Sequence, residues 1–342
     1  MITGGLGFIG SNLAIRLVQL GANVTVVDAC IPGCGGNARN LDEVSNDIRV
    51  APFDIGDSDN VRPLLKRVDV IFNLAGEVSH THSMEHPARD LDINARAQLL
   101  FVHECARQLP GVRIVYTSTR QVYGRPEYLP VDEAHPVAPV DYNGVSKNAA
   151  GEYHLMLTRS GQLDAAILRL TNIYGPRLAL NVPCQGVLSV FFMRLLLHLP
   201  IEIYGDGRQL RDPVYVDDAV EALLRTGAAA KLQSRIYNVG FPEALALGDV
   251  AETLCRIAGA APPVYRPFPH ELSKIDIGSF ATDATRIRRE LQWQPEVSLE
   301  DGAARTLRFF EERLSDYLDP AAGYPRCALP RAAGLDKAPA VA

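Results

Sequence analysis

The residues TGGLGFIGSN, at positions 3–12, place three glycines at regular spacing between a short strand and a helix. Gly4, Gly7 and Gly10 form the pattern G-x-x-G-x-x-G, and the apolar residues that follow recur at helical spacing up to Gly21. Glycines let the backbone turn sharply and approach a phosphate, and the helix N-terminus offers that phosphate free N–H groups. The stretch therefore predicts a dinucleotide-binding turn at the start of a parallel α/β sheet.

The carboxylate that ends the next strand, NVTVVD, indicates which dinucleotide is bound. Asp28 stands where a side chain can accept both hydroxyls of an adenine ribose, and its charge repels a 2′-phosphate. The predicted cofactor is therefore NAD rather than NADP. The ends of the third and fourth strands supply further expected cofactor contacts, with a carboxylate for the adenine amino group and small residues that permit close approach: Asp54, Ile55, Leu74, Ala75 and Gly76.

Strands and helices alternate along the first half of the chain, which predicts a doubly wound parallel sheet of the Rossmann type with ligands at the carboxyl ends of its strands. We expect a Rossmann domain over residues 1–176, to which later segments return. A smaller lobe that binds substrate is expected mainly over 177–318, where the alternation weakens. The Pro- and Ala-rich residues 319–342 show no periodicity and predict a disordered tail.

The composition limits the classes of partner that we expect the chain to bind. Its 342 residues carry a net charge of −6, which gives no electrostatic reason to expect nucleic acid or an anionic membrane. The six cysteines are scattered without a C-x-x-C pair, so we expect reduced thiols, no metal site and a cytoplasmic protein. No apolar run is long enough to predict a membrane span.

The chain reaches its glycine motif after Met1, Ile2 and Thr3, whereas a strand feeding such a turn normally has about five to six residues. This spacing suggests a misassigned start or a trimmed chain, in which a central strand is shortened. A version with a few more apolar residues in front is therefore expected to be more stable.

These motifs together resemble the extended short-chain dehydrogenase/reductase family, and in particular its nucleotide-sugar epimerases and dehydratases. The likeness runs from Thr3 to about residue 314. It rests, in order, on TGGLGFIGSN, VVD, NLAGEVSH, YTSTRQVYG, the helix of Lys147, LRLTNIYGPR, YGDGRQLRDPVYVDD and LQWQPEVSLEDG.

The resemblance implies roles for individual residues. Thr119 would hydrogen-bond the sugar hydroxyl that is oxidised, and Lys147 would bind the nicotinamide ribose and lower the pKa of a catalytic phenol. Leu170 and Thr171 would approach the nicotinamide through their backbone. The full expected cofactor set is Gly4, Gly7, Phe8, Ile9, Gly10, Asp28, Asp54, Ile55, Leu74, Ala75, Gly76, Asn94, Thr117, Lys147, Leu170 and Thr171.

The same resemblance implies a substrate site. Asn172 and Arg211 would contact the substrate diphosphate, where a guanidinium can bind phosphate oxygens with two hydrogen bonds. Asp276 would hold the nucleotide ribose, with Lys274 near the usual partner arginine. The full expected substrate set is Glu77, Thr119, Asn172, Arg211 and Asp276.

Two departures from the family pattern bear on the chemistry. Arg120 and Gln121 stand where 4,6-dehydratases have an Asp–Glu pair, and neither can protonate a leaving hydroxyl or remove a carbon-bound proton, so dehydration through these positions is not expected. The second departure lies in DYNGVSK, residues 141–147. The family has a tyrosine four residues before the lysine, but here Asn143 occupies that place and Tyr142 is five residues before Lys147.

An amide is neither an acid nor a base near neutral pH, so Asn143 can only orient a hydroxyl. A π-bulge between Tyr142 and Lys147 would put both on one face and restore the phenol as base. Alternatively, another group accepts the proton, for which the candidates are Glu77, His80, His82 and Cys184. A third alternative is that the chain no longer catalyses hydride transfer and only binds NAD. We also expect Asp141 to cap the helix that carries Lys147.

The principal prediction is an NAD-dependent epimerase that inverts a nucleotide-activated sugar through a transient keto intermediate. The catalytic set is Thr119, Tyr142, Asn143 and Lys147. Dehydration of a nucleotide sugar or decarboxylation of a nucleotide uronic acid remains an alternative, and a non-catalytic NAD-binding protein is another. A homodimer is expected through the helices around 88–108 and 142–159, because family members commonly pair through two such helices.

Overall fold

The computed structural model describes residues 1–182 and 186–318, apart from the side chain of Glu271. The predicted tail at 319–342 and the candidate base Cys184 lie outside the described residues. The strands are β1 Ile2–Thr3, β2 Val24–Val27, β3 Ile48–Ala51, β4 Val70–Asn73, β5 Arg113–Thr119, β6 Asp164–Leu170, β7 Ile173–Tyr174, β8 Glu202–Tyr204, β9 Leu210–Arg211, β10 Val214–Tyr215, β11 Ile236–Val239, β12 Leu245–Ala246 and β13 Val264–Arg266.

The main sheet has seven strands within the described residues, in the order β11-β6-β5-β4-β1-β2-β3, and every pair in it is parallel. The chain winds outward from β1 in one direction through β2 and β3, then returns to add β4, β5 and β6 on the other side. The order therefore reverses between β1 and β4, which opens a crevice at the carboxyl ends of these strands. The predicted doubly wound sheet is confirmed.

Helices cover both faces of this sheet. The helices of the described residues are α1 Phe8–Gln19, α2 Ser58–Val61, α3 His80–Glu85, α4 Pro87–Leu91, α5 Ala97–Gln108, α6 Tyr142–Arg159, α7 Val187–Leu196, α8 Val216–Ala228, α9 Leu247–Ile257, α10 His270–Ser273, α11 Thr285–Leu291 and α12 Leu299–Tyr317. One apolar core includes Leu13 of α1 and Leu223 of α8, and a second includes Phe101 of α5. The strands are thus buried on both sides, as their apolar sequences predict.

The helical region between β4 and β5 is not uniform. A π-helical turn, Asp92–Arg96, joins α4 to α5 and turns Asn94 into the interior, where its side chain is fully buried. Such turns widen the helix by one residue and occur at functional sites. The helix after β3 is also short, because α2 ends at Val61 and a 3₁₀ turn that contains Pro63 follows it.

Short strands form smaller sheets beyond the main one. β7 pairs with β10 and β8 with β13 in parallel, whereas β9 and β12 pair antiparallel. β11, in contrast, returns to the edge of the main sheet beside β6. The smaller sheets lie beside the carboxyl ends of the main strands, where they can close the crevice. Within the described residues, no helix combines the length and the apolar character that crossing a membrane requires.

The first strand is confined to two residues, although it lies at the centre of the sheet between β2 and β4. The amino group of Met1 continues its ladder by donating to the carbonyl of Val70 at 2.9 Å. Burial lowers the pKa of this amino group from 8.0 to about 6, despite the attraction of Asp69. A charged terminus is therefore held in an unfavourable environment at the centre of the sheet.

Adding three apolar residues ahead of Met1 is predicted to raise the free energy of unfolding. The terminal amino group binds its proton more tightly in the unfolded chain than in the folded one. Burying the charged group therefore lowers the free energy of unfolding fully below about pH 6 and not at all above 8.0. Moving the charged terminus out of the sheet therefore adds about 1 kcal/mol to the free energy of unfolding at about pH 7. Denaturant unfolding should show the advantage of the extended chain shrinking as pH rises. A Gly-Ser extension of equal length should give only this pH-dependent part, and equal stability of all three chains would contradict the prediction.

Candidate active site

A cavity of about 750 Å³ opens at the carboxyl ends of β1, β4, β5 and β6 and extends toward the smaller sheets. The expected cofactor residues that line it are Gly4, Gly7, Phe8, Ile9, Gly10, Asp28, Asp54, Ile55, Leu74, Ala75, Gly76, Thr117, Lys147, Leu170 and Thr171. Thr119, Asn143, Asn172, Arg211 and Asp276 line it as well. Three expected site residues, Asn94, Glu77 and Tyr142, are not among its lining residues.

The glycine turn accepts no larger side chain at its ends. Gly4 has φ +67, and a Cβ on it would lie 2.8 Å from the backbone of Leu74 and Ala75. A Cβ on Gly10 would lie 2.2 Å from the carbonyl oxygen of Gly4. The start of α1 therefore packs directly under the turn, which leaves the N-terminal N–H groups of the helix beside the cavity. This arrangement fits the pyrophosphate of a dinucleotide.

Asp28 connects the turn to the neighbouring loop. Its Oδ2 accepts a hydrogen bond from the amide of Leu6 at 2.9 Å, and its Oδ1 accepts one from the amide of Cys30 at 2.8 Å. Each oxygen retains a second lone pair that a ribose hydroxyl can use. Asp54 is fixed similarly, because its Oδ1 accepts from the amide of Gly56 at 2.7 Å. Both carboxylates fit the adenosine half of NAD.

A buried polar network lies beneath the turn and fixes the end of β4. Thr3 donates to Asn73 at 2.6 Å, and the same hydroxyl accepts from the amides of Leu74 and Ala75. His154 lies 3.1 Å from Asn73 and donates or accepts according to its tautomer. Burial lowers the pKa of His154 to about 4, so its ring is neutral near physiological pH. The network positions the backbone that Gly4 approaches.

Asn143, four residues before Lys147, has an amide group that is already bound to the protein. Its Nδ2 donates to the carbonyl of Glu77 at 2.9 Å and to Oδ2 of Asp90 at 3.0 Å, and the residue is 1% exposed. These bonds fasten the first turn of α6 to the segment that follows β4. Asn143 therefore has a clear structural role beside Lys147.

Tyr142 points away from the cavity. The segment Tyr142–Arg159 is α-helical throughout, so the hypothesis of a π-bulge between Tyr142 and Lys147 is wrong. The π-helical turn occurs instead at Asp92–Arg96. Tyr142 is 48% exposed, as expected for a residue about 100° round the helix from Asn143. Its role as a base remains a prediction that this placement does not favour. Asp141 caps α6 as predicted, accepting from the amide of Gly144 at 2.6 Å.

The other candidates for the catalytic base differ in whether their side chains line the cavity. Glu77 is 2% exposed, contacts Nδ1 of His82 and pairs with Arg89, and neither Glu77 nor His82 lines the cavity. His80 does line the cavity, with its Nδ1 2.9 Å from Oδ2 of Asp141. The described residues thus bring one of these candidates, His80, to the site.

Sequence reasoning missed Asp90. It is fully buried, its Oδ2 accepts from Asn94 and Asn143, and its Oδ1 has no hydrogen-bond partner. Its charge favours the ammonium form of Lys147 but is outweighed, because burial lowers the pKa of Lys147 from 10.5 to about 8. The spacing of Asp90 and Asn94, four residues apart before a helix, was a signal that could have identified this pair.

Arg120 was interpreted only as a missing dehydratase carboxylate, but the structure gives it a place in the cavity wall. It follows Thr119, whose Oγ1 accepts from the amide of Gln121 at 3.1 Å and so caps a 3₁₀ turn. The guanidinium lies 5.1 Å from the ring centre of Phe280, and its Nη1 is buried without a hydrogen-bond partner. Burial, reinforced by the charge of Arg211, lowers the pKa of Arg120 to about 9.

The far end of the cavity carries the expected substrate residues. Arg211 donates from Nη1 to the carbonyls of Leu210 and Gly278, both at 2.7 Å, and its Nη2 lies 3.8 Å from Asp276. Oδ1 of Asn172 is buried without a hydrogen-bond partner. Two guanidinium groups therefore face one region, which is suited to an anionic ligand.

The fold and this cavity define a dinucleotide-binding enzyme class with a second, anion-binding half to its site. Comparison with known proteins identifies the class. Residues 1–240 match the NAD dependent epimerase/dehydratase family. The chain is 34% identical over 317 residues to a UDP-glucose 4-epimerase of Mycolicibacterium smegmatis, which covers 92% of this chain and 98% of that protein.

The chain is also similar to a decarboxylase and to a solved epimerase structure. The chain is 28% identical to a UDP-N-acetyl-alpha-D-glucosaminuronate decarboxylase of Bacillus cytotoxicus, over 92% of this chain and 98% of that one. Its fold matches the crystal structure of a Thermotoga maritima UDP-glucose 4-epimerase with UDP-glucose, with a TM-score of 0.82, 30% identity and coverage of 92% and 98%. The chain belongs to the NAD-dependent epimerase/dehydratase family of extended short-chain dehydrogenases/reductases, which confirms the predicted family and the cofactor NAD.

Replacing Lys147 with methionine is predicted to stabilise the free protein near neutral pH. The lysine binds its proton more tightly in the unfolded chain than in the folded one. The buried charge therefore lowers the free energy of unfolding fully below about pH 8 and not at all above 10.5. The free energy of unfolding should rise by roughly 2–3 kcal/mol at about pH 7, and this gain should shrink as the pH approaches 10. Exposed Lys231→Met is the control. A difference in the free energy of unfolding between Lys147→Met and the wild type that does not change with pH would contradict the prediction.

Proposed function

We propose that this protein epimerises a nucleotide-activated sugar with NAD. The observation that carries the proposal is one continuous cavity, which joins the glycine turn and Asp28 at one end to Arg211 and Asp276 at the other. Thr119 and Lys147 lie between these ends on β5 and α6. Such a cavity can hold a dinucleotide and a nucleotide diphosphate so that their reactive halves meet.

Different residues of the chain bind the substrate and orient its reacting group in the proposed reaction. Thr119 offers its hydroxyl to the sugar hydroxyl that is oxidised, and Lys147 offers a cation to the ribose beside it. Arg211 and Asn172 bind the diphosphate and Asp276 the nucleotide ribose, so the sugar is held while it presents either face. NAD, held by the glycine turn and Asp28, would supply the hydride acceptor for oxidation of the sugar carbon and the hydride donor for its reduction from the opposite face.

Both relatives and sequence support epimerisation over dehydration. A relative and a solved structure, at 34% and 30% identity, are UDP-glucose 4-epimerases. Arg120 and Gln121 supply no carboxylate at the positions where 4,6-dehydratases eliminate water. The expected homodimer and the cytoplasmic location remain predictions. Exposed apolar side chains suited to a dimer interface occur near or on α5 and α6, at Leu91, Leu99, Val145 and Met156.

The test is a single turnover of the NAD-loaded protein with UDP-, dTDP- and GDP-sugars, which follows NADH absorbance and the configuration of the recovered sugar. We expect a transient NADH signal and an inverted product with at least one sugar. Thr119→Val should slow NADH formation by roughly 10–1,000-fold with little effect on NAD binding, because it removes a hydrogen bond to the reacting oxygen. Thr25→Val, on β2 outside the cavity, is the matched control. NAD binding without any NADH signal would favour the non-catalytic alternative.

A second candidate function is decarboxylation of a nucleotide uronic acid, and the side chain of Arg120 favours it. A buried guanidinium nitrogen without a partner, next to Thr119, suits a carboxylate on the sugar. Oxidation of the adjacent carbinol would place this carboxylate β to a ketone, from which it can leave as carbon dioxide. The relative from Bacillus cytotoxicus is a decarboxylase of this substrate class.

Calorimetry with UDP, UDP-glucose and UDP-glucuronate distinguishes the two candidates. If Arg120 binds the carboxylate, Arg120→Met should weaken UDP-glucuronate binding by roughly 10–100-fold and leave UDP and UDP-glucose unchanged. Arg208→Met, at an exposed arginine, is the control. Equal weakening of all three ligands would instead assign Arg120 to the diphosphate. Carbon dioxide released from UDP-glucuronate by the wild type would identify decarboxylation directly.

A further inference from the structure

The proposed reaction requires a group that accepts the hydroxyl proton, and the place of the family phenol is closed. Asn143 cannot accept a proton, and Tyr142 lies outside the cavity. Thr119 shares the cavity lining with an imidazole and an amine that can exchange a proton with a ligand, those of His80 and Lys147. Burial lowers the pKa of Lys147 to about 8, against the charges of Asp90 and Glu77, so its amine still carries its proton near pH 7 and is suited to donate.

His80 lies at the opening of α3, just after the end of β4. Ser79 caps this helix by accepting from the amide of His82 at 3.2 Å, which fixes the backbone that carries the ring. The His80 side chain is 33% exposed and lines the cavity together with Thr119, Asn143 and Lys147. One edge of the imidazole is therefore open to a bound ligand, while the other faces protein.

The protein side of the ring faces Asp141. Nδ1 of His80 is buried and lies 2.9 Å from Oδ2 of Asp141, whose side chain is fully buried. The contact lies within hydrogen-bond distance but lacks the alignment of a hydrogen bond, so Nδ1 has no hydrogen-bond partner. Catalytic contacts are commonly misaligned before substrate binds and tighten afterwards.

Asp141 is itself held firmly and ionised. Its Oδ1 accepts from the amide of Gly144 at 2.6 Å, and its Oδ2 accepts from Nε2 of Gln121 at 3.0 Å. Burial alone would raise the pKa of this carboxyl, but these contacts and His80 together hold it below the usual value. A fixed carboxylate beside one ring nitrogen keeps the proton on that nitrogen and leaves the other free to accept.

We propose that His80 is the acid–base group of the reaction and that Asp141 is its positioning residue, together replacing the family phenol. This inference rests on the proposed redox chemistry. As the hydride of the sugar carbinol passes to the nicotinamide ring, the hydroxyl proton moves to Nε2 of His80 and a C=O bond forms. The imidazolium is stabilised by Asp141. Return of both the hydride and the proton restores neutral His80, so one turnover needs no external oxidant or base.

The first test compares His80→Gln, Asp141→Asn and Tyr142→Phe in the single-turnover assay. His80→Gln should slow NADH formation by roughly 10²–10⁴-fold, while the dissociation constant of the nucleotide sugar changes by less than about threefold. Asp141→Asn keeps the helix cap but presents an amide to Nδ1, which favours the wrong tautomer and should also slow the reaction. His103→Gln, at an exposed histidine on α5, is the control and should react like the wild type. Tyr142→Phe tests the competing assignment of the base to the phenol, which requires loss of NADH formation in that variant.

Chemical rescue separates a catalytic role from a merely structural one. Added imidazole should restore NADH formation in His80→Ala in proportion to its concentration, and it should leave Asp141→Asn unchanged. Loss of activity in Tyr142→Phe, or an undiminished rate in His80→Gln, would overturn the proposal while leaving the epimerase function intact. A rescue failure in a folded His80→Ala protein that still binds the nucleotide sugar would also overturn it.

A second readout needs no turnover. Nitrogen-15 NMR of histidine-labelled protein should show His80 in the neutral form with hydrogen on Nδ1, and Asp141→Asn should shift that hydrogen to Nε2. The opposite tautomer in the wild type would overturn the proposal even if no sugar were found to react. Absence of NADH with every sugar, combined with the expected tautomer, would instead point to failure of the proposed redox function.

Discussion

The close contact between the glycine turn and the end of β4 is the constraint on which the site depends. Gly4 approaches the backbone of Leu74 and Ala75 so closely that a side chain at position 4 would collide with it. Thr3 and Asn73 hold that backbone from below through buried hydrogen bonds. Because β1 and β4 are neighbours at the point where the strand order reverses, this contact also places the crevice in which both halves of the cavity meet.

The amide of Asn143 shapes the cavity wall beside Lys147. Asn143 gives its two donor bonds to Glu77 and Asp90, so the first turn of α6 is fastened to the segment after β4. The same helix start carries Asp141, which contacts His80 from the other segment. Two segments that are distant in sequence thus supply a polar cluster next to Lys147.

Charge divides the cavity into regions of different chemistry. Asp28 and Asp54 lie at the end of the cavity beside the glycine turn, where their oxygens can accept from hydroxyl and amino groups. Arg120 and Arg211 lie at the opposite end, where burial makes their charges costly unless an anion approaches. A protein that keeps two such cations beside one another has an electrostatic reason to bind a phosphate or a carboxylate, and little reason to bind a neutral sugar alone.

The sequence by itself determined the fold class, the cofactor turn and the cap at Asp141, because each depends on local patterns: glycine spacing, alternation of strands and helices, and a side chain at a helix start. It also showed that Asn143 stands in the tyrosine place. Only the tertiary structure decided that Tyr142 is exposed, that the π-helical turn lies at Asp92–Arg96, and that Glu77 and His82 pair away from the cavity. The contacts of Asp90 with Asn143 and of His80 with Asp141 join residues more than fifty positions apart. Such contacts follow from how the segments pack together, which local sequence patterns do not specify.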